Sequence, residues 1–214
     1  MTELDHLTIA AHTLDQGVAY VRDRLGIALP YGGEHPRMGT HNHLLRLGES
    51  LFLEVIAINP AAPAPSRPRW FQLDDPVLQA QLMRSPKLLT WVVRTDDIAS
   101  TFLASSVQLG AIESMRRGDL QWLITFATDG ILPEQGLMPS LIQWPAGPHP
   151  AGGMVDLGCS LERYEAVHRE PARYRQALAS IGADRSIHVR QAGPDIESHL
   201  LAHIRTPDGV KLIT

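Results

Sequence analysis

Leu4-Asp-His-Leu-Thr-Ile-Ala10, with the stretch Thr13 to Gly26 behind it, is the part of the sequence on which the fold turns. The first segment reads as a short strand and the second, through Leu25, as an amphipathic helix. Thr13 suits the N-cap and Gly26 stands where a C-cap glycine belongs. The unit recurs along the chain. Leu88 to Arg94 repeats the strand, Asp96 or Thr95 caps the next helix, and Gly110 closes it. A third copy is expected from Val155 to Glu162, with Pro171 in the first turn of a helix that stops before Gly182.

Each unit is followed by several extended segments. His43 to Leu47 and Leu51 to Ile58 follow the first, joined by a hairpin at Gly48-Glu-Ser. Gln121 to Ala127 and Leu141 to Trp144 follow the second, and Ile187 to Gln191, Leu200 to Ile204 and Val210 to Ile213 the third. Proline-rich Asn59 to Pro68 and the Pro/Gly stretch Trp144 to Gly153 interrupt the pattern, and a short helix is expected around Pro76 to Arg84, with Asp74 and Asp75 as its caps. Residues 1–60 thus form a first module and 61–87 a connection with a short helix. Residues 88–214 form a second module with an extra C-terminal βαββ-like unit. One strand per helix would mean a doubly wound parallel sheet, but here several follow each helix. Ile9 to Asp15 also lacks GxGxxG and GxxxxGK[ST]. The class expected is α+β, with a mixed, largely antiparallel sheet.

Composition bounds the function. The chain has 214 residues, 44% hydrophobic and 20% charged, enough to bury a substantial core. A net charge of -4, with no basic stripe around Arg116 and Arg117, gives nucleic acid no electrostatic footprint. The lone Cys159 has no internal disulfide partner, and no apolar run reaches the roughly 20 residues of a membrane span. With no basic and apolar leader after Met1, the expectation is a cytoplasmic protein.

Glu54 carries the most information. It interrupts Leu51-Phe-Leu-Glu-Val-Ile-Ala-Ile, and alternation puts it on the face of Phe52, Ile56 and Ile58. A carboxylate buried there costs several kcal/mol without partners. Two readings stay open, a pocket group and an ion pair with Arg46. His6 shares a face with Leu4 and Thr8, as a ligand or as a satisfied core histidine. His41 and His43 share a strand face at His-X-His spacing, which suits zinc but equally a solvated strand entry. Tyr31 to Thr40 reads as a glycine-rich loop bordering a pocket, with Arg37 and Asn42 orienting a polar substrate. Trp91, Trp122 and Trp144 are candidates for an aromatic wall or for plain core. Ser140 and Ser160 lack the GxSxG context of a serine hydrolase.

Several motifs together resemble the glyoxalase-like domains of the vicinal-oxygen-chelate superfamily. They are Leu4-Asp-His-Leu-Thr-Ile, Gly32 through Gly48, Phe52-Leu-Glu-Val-Ile-Ala, Leu141-Ile-Gln-Trp followed by His149-Pro, and Thr206-Pro-Asp-Gly-Val-Lys-Leu. The resemblance implies paired βαβββ modules curled into an open, cup-like mixed sheet with flanking helices around a small-molecule pocket, and commonly a homodimer. It implies that His6 and Glu54 occupy metal-ligand positions, for zinc, nickel, iron or manganese. In the second module Leu89 falls opposite His6 and Gln143 opposite Glu54, so four ligands are not visible unless His149 or another histidine joins. The site implied holds Glu54 as catalytic group, His6 and Glu54 as metal ligands, and Arg37, Asn42, Trp91, Gln143 and Trp144 around the substrate. Three functions remain open: an enzyme of lyase, isomerase or dioxygenase type, with or without one divalent metal; a metal-free protein that sequesters a small molecule, as antibiotic-resistance members do; and a structural or regulatory dimer with no small ligand.

Overall fold

The computed structural model describes residues 2–214. Strand β1 (Glu3–Ala10) leads into helix α1 (Leu14–Leu25) and then β2 (Tyr31–His35), β3 (Thr40–Gly48) and β4 (Leu51–Ile58). The connection carries α2 (Pro76–Arg84). A second set follows: β5 (Lys87–Arg94), α3 (Ile98–Ala104), β6 (Ala111–Arg117), β7 (Leu120–Phe126) and β8 (Ser140–Gln143). Eight strands form one curled, open sheet in the order β2-β3-β4-β1-β5-β8-β7-β6. Each half reads first, fourth, third, second strand outward from the centre, so both have the same topology. β1 and β5 join them antiparallel, while β1–β4 and β5–β8 are parallel.

Local chemistry sets the helix ends. Thr13 accepts the Gln16 N–H, and Gly26 takes the left-handed conformation (φ 74) that a side chain would resist. Asp75 accepts N–H groups of Val77 and Leu78, with Pro76 in the first turn where no donor is needed. Asp97, rather than Asp96 or Thr95, caps α3 through the Ser100 N–H. That helix stops at Ala104. Gly110 instead lies against the backbone of Phe126 and Ala127, where an added Cβ would meet atoms at 2.2–2.3 Å. The stretch read as a glycine-rich loop contains strand β2, paired antiparallel to β3.

The C-terminal unit, β9 (Ser160–His168), α4 (Pro171–Ser180), β10 (His188–Gln191), β11 (His199–Thr206) and β12 (Gly209–Ile213), is a separate sheet ordered β10-β9-β11-β12. Its first strand begins at Ser160, not Val155. It pairs parallel with β10 and antiparallel with β11, so the unit is no third copy of the module. It packs behind the large sheet: Tyr164 meets Trp91 edge-on at 5.4 Å. Trp91 Nε1 and the Tyr174 hydroxyl both donate to the Leu137 carbonyl. One core joins Leu7, Ile9, Leu53 and Val55 to Ala166, Leu178, Leu200 and Ile204.

The opposite, concave face has its own core, into which the connection folds back. Trp70, Phe71 and Leu73, with Leu78 and Leu82 of α2, pack with Ile56, Val92, Ile124 and Ile142. Phe71 holds φ 57, a strain of about 1–2 kcal/mol. Burying its ring, stacked on Trp70 at 5.1 Å, contributes about 1.5–3 kcal/mol and outweighs that strain. Trp70 and Phe71 of this plug also line a cavity left beside residues of β1, β3 and β4.

Candidate active site

Alternation along β4 points Phe52, Glu54 and Ile56 into the cup, with Leu53 and Val55 behind. Glu54 is buried. Its Oε1 accepts an N–H of Asn42 at 2.7 Å from β3, and its Oε2 accepts the Thr8 hydroxyl at 3.4 Å from β1. Two donors therefore offset the desolvation that burial alone would impose. Arg46 is elsewhere, paired with Glu49 and, at 3.7 Å, with Asp156.

His6 lies beside Glu54, its Nε2 4.0 Å from Glu54 Oε2 and its ring stacked on Phe52 at 4.5 Å. Strict alternation would turn Asp5 away. The β1–β5 register slips between Leu4 and His6, however, and the extra residue brings Asp5 behind the histidine. The fully buried Asp5 carboxylate meets three donors: His6 Nδ1 at 2.6 Å, Trp144 Nε1 at 2.8 Å and His149 Nε2 at 2.9 Å. His149 Nδ1 accepts the Ala151 N–H, which leaves its proton on Nε2 for Asp5. Burial pushes the Asp5 carboxyl upward, but the hydrogen bonds from His149 and His6 outweigh it and hold it at about 2. An ionised Asp5 keeps the His6 proton on Nδ1 and aims Nε2 at Glu54 and the cavity.

The cavity is partly open to solvent and has a volume of about 40 Å³, room for a few waters or one small polar group. Trp70, Trp122 and Trp144 wall it, with Leu44, Phe52, Ile142 and Met154. His35 lines it as well, bonded through Nδ1 to the Thr40 hydroxyl at 3.1 Å and set edge-on to Trp70 and Trp122. Complete burial drives the His35 imidazole down to about 4, so it is neutral near pH 7. Arg117, on β6, lines the cavity from the second module.

Residues 4–182 match the family described as Glyoxalase-like domain. The chain belongs to that family. A hypothetical protein from Staphylococcus aureus is 12% identical, with a TM-score of 0.56 over 97% of this chain and 82% of that one. A mutant 4-hydroxymandelate synthase from Streptomyces coelicolor is 17% identical, with a TM-score of 0.50 over 97% of this chain and 60% of the other. Methylmalonyl-CoA epimerase from Mycobacterium tuberculosis is 18% identical, with a TM-score of 0.44 over 67% and 88%. At these identities the likeness is one of fold. None of the curated proteins compared matches the chain.

Of the residues singled out in the sequence of this glyoxalase-like protein, His6, Asn42, Glu54 and Trp144 come together at the cavity. Four others do not. Trp91 faces the rear core, fully buried against Tyr164. Gln143 accepts the Ile98 N–H at 2.9 Å through Oε1 and so caps α3, while its neighbour Ile142 takes the inward position. Arg37 ties the β2–β3 turn to β6, donating to the Ser114 carbonyl at 2.7 Å and pairing with Glu113 at 2.5 Å. His43 is bound to the Leu29 carbonyl, away from the cup. Asp5, His35, Trp70 and Arg117 were not picked out as site residues.

The donor set does not fit a divalent metal held by this chain alone. His6 and Glu54 stand together as two donors, and His35, although it lines the same cavity, is not grouped with them to hold an ion, whereas a catalytic zinc takes three protein ligands. The matching strands of the second module present Leu89, Val92 and Ile142 instead, and His149 is engaged with Asp5. Among the described residues no group of three or more His, Cys, Asp or Glu side chains is arranged to hold a metal ion. No helix among them is long and apolar enough to cross a membrane.

Proposed function

We propose that this protein is an isomerase-type enzyme that shifts a proton between neighbouring carbons of a small 2-hydroxycarbonyl compound. One observation carries the reading: Glu54 Oε2 and His6 Nε2 stand 4.0 Å apart, both lining one aromatic-walled cavity, with Asp5 fixing the histidine tautomer. In this reading the Glu54 carboxylate takes the proton from the hydroxyl-bearing carbon and returns it to the adjacent one. His6 Nε2 takes the hydroxyl proton and delivers it to the neighbouring oxygen, so the intermediate is an enediolate with its carbon proton held on Glu54, and there is no net change of atoms or electrons. Asp5 supports the positive charge that His6 carries between the two transfers. Asn42 holds the Glu54 carboxylate in place, and the tryptophan walls keep water out.

The test is solvent exchange. Wild-type protein in D2O, followed by proton NMR over a panel of glycolaldehyde, dihydroxyacetone, hydroxypyruvate and lactaldehyde, is expected to wash the carbon-bound hydrogen out of at least one compound. Glu54→Gln is expected to abolish that exchange. No exchange above the buffer rate for any compound would overturn the reading. It would leave the second function, a protein that sequesters a planar compound against Trp122 and Trp144, whose rings stand 5.5 Å apart in the wall. A homodimer, expected from the resemblance, belongs to the same proposal, and its mass in solution tests it.

A further inference from the structure

We infer that the ligand of this cavity is a carboxylate, anchored by Arg117, which lines the cavity from the second module. The inference rests on the reading of the cavity as a substrate site and names the chemical class that it selects.

Arg117 is the one lining side chain with a fixed positive charge, because His35 stays neutral and no lysine reaches the cavity. Among the described residues it has no ion-pair or hydrogen-bond partner, and it is half-buried. Its neighbours Arg37 and Arg67 each have a counter-ion, because they share Glu113. A guanidinium facing a low-dielectric cavity with no counter-ion gains most from an anion entering that cavity. The backbone makes room for it. Gly33 on β2 holds φ 142, and a Cβ there would lie 3.2 Å from Arg117 Cδ, so the glycine lets the arginine lie across the edge strand.

The anion is a carboxylate rather than a phosphate. Glu54 stands at the cavity floor and the ionised Asp5 behind His6, and a dianion would meet their repulsion. A single planar guanidinium matches a carboxylate with two parallel N–H bonds. The small cavity, about 40 Å³, also favours a compact head, with the apolar body lying along Trp122 and Trp144.

Tryptophan fluorescence, titrated with phenyllactate, its methyl ester and phenyl phosphate, tests this on the full chain. Phenyllactate is expected to bind at least tenfold tighter than the ester. Arg117→Ala is expected to remove that preference while leaving ester binding and the melting temperature unchanged, and Arg117→Lys to keep part of it. Equal affinity for acid and ester, a preference that survives Arg117→Ala, tighter binding of phenyl phosphate, or no binding of the acid would each overturn the inference. Failure of the enzyme reading is separate: an Arg117-dependent acid preference beside zero exchange would leave this inference standing and sink the isomerase. Exchange lost in Glu54→Gln with no acid preference would do the reverse.

Discussion

Asp5 Oδ1 lies 2.6 Å from Nδ1 of His6, the very next residue of a strand in which neighbours normally face opposite sides. The bulge between Leu4 and His6 makes this contact possible, and it converts two adjacent residues into a hydrogen-bonded carboxylate–imidazole pair. Trp144 and His149, from the chain after β8, supply the two further donors that let the carboxylate stay ionised without solvent. The second module thereby sets the state of a histidine that belongs to the first.

Asp5→Asn tests that dependence. An amide of the same shape fills the space but loses the negative charge, and its NH2 faces donors, so the His6 tautomer is no longer fixed. Exchange activity is expected to fall by about 10²–10⁴-fold, the range for a misdirected acid–base group. Circular dichroism should report an unchanged fold. Activity within a factor of three of wild type would show that His6 acts without Asp5.

Two acid transitions are expected in a melting-temperature profile, from different groups. His35 has a folded value of about 4 against an ordinary 6.5. The unfolded chain binds its proton first, so stability is lost as pH falls from 6.5 through 4, to a total of about 3 kcal/mol. Asp5, at about 2 against 3.8, contributes stability that is complete above pH 4 and lost between 4 and 2, about 2 kcal/mol. His35→Gln is expected to flatten the upper window alone. A wild-type curve level from pH 7 to 4.5 would contradict the burial of a neutral His35.

The two modules were legible because capped helices and runs of extended segments repeat in the sequence; the site was legible only in part. Glu54 stood out because a carboxylate in an apolar run needs a reason. Asp5 did not, since a bulge leaves no mark in alternation. Trp91 could not be assigned a face, because Leu88 to Val93 is buried on both sides and carries no polar–apolar rhythm. Gln143 was misplaced by one residue, and in the four-residue β8 that exchanges faces. The third unit has the element order of a module, but strand pairing, which order does not encode, makes it a different sheet.

Glu113 is expected to hold the cup closed. It receives Arg37 from the β2–β3 turn and Arg67 from the connection, each a long way off in sequence. Arg67 also lies over the Phe126 ring at 4.9 Å, and its Nε and one Nη have no other partner. Glu113→Ala leaves that half-buried cation unpaired, and a loss of about 1–2 kcal/mol is expected, above the usual worth of a surface pair. Acrylamide quenching of the tryptophans should rise as the mouth loosens. Quenching equal to wild type would show that the clasp is incidental.

Gln143→Ala and Asn42→Ala separate cap from site. Gln143 Oε1 serves the first free N–H of α3, at Ile98, and its loss is expected to cost about 1 kcal/mol in urea unfolding, as a missing cap does. Ligand affinity and exchange should not change, because Ile142 and not Gln143 faces the cavity. Asn42 is the opposite case. Removing it frees Glu54 Oε1 in a buried site, so exchange is expected to fall at least tenfold. Were Gln143→Ala to impair exchange as much as Asn42→Ala, the amide would have to reach the substrate, and its place as a helix cap would be wrong.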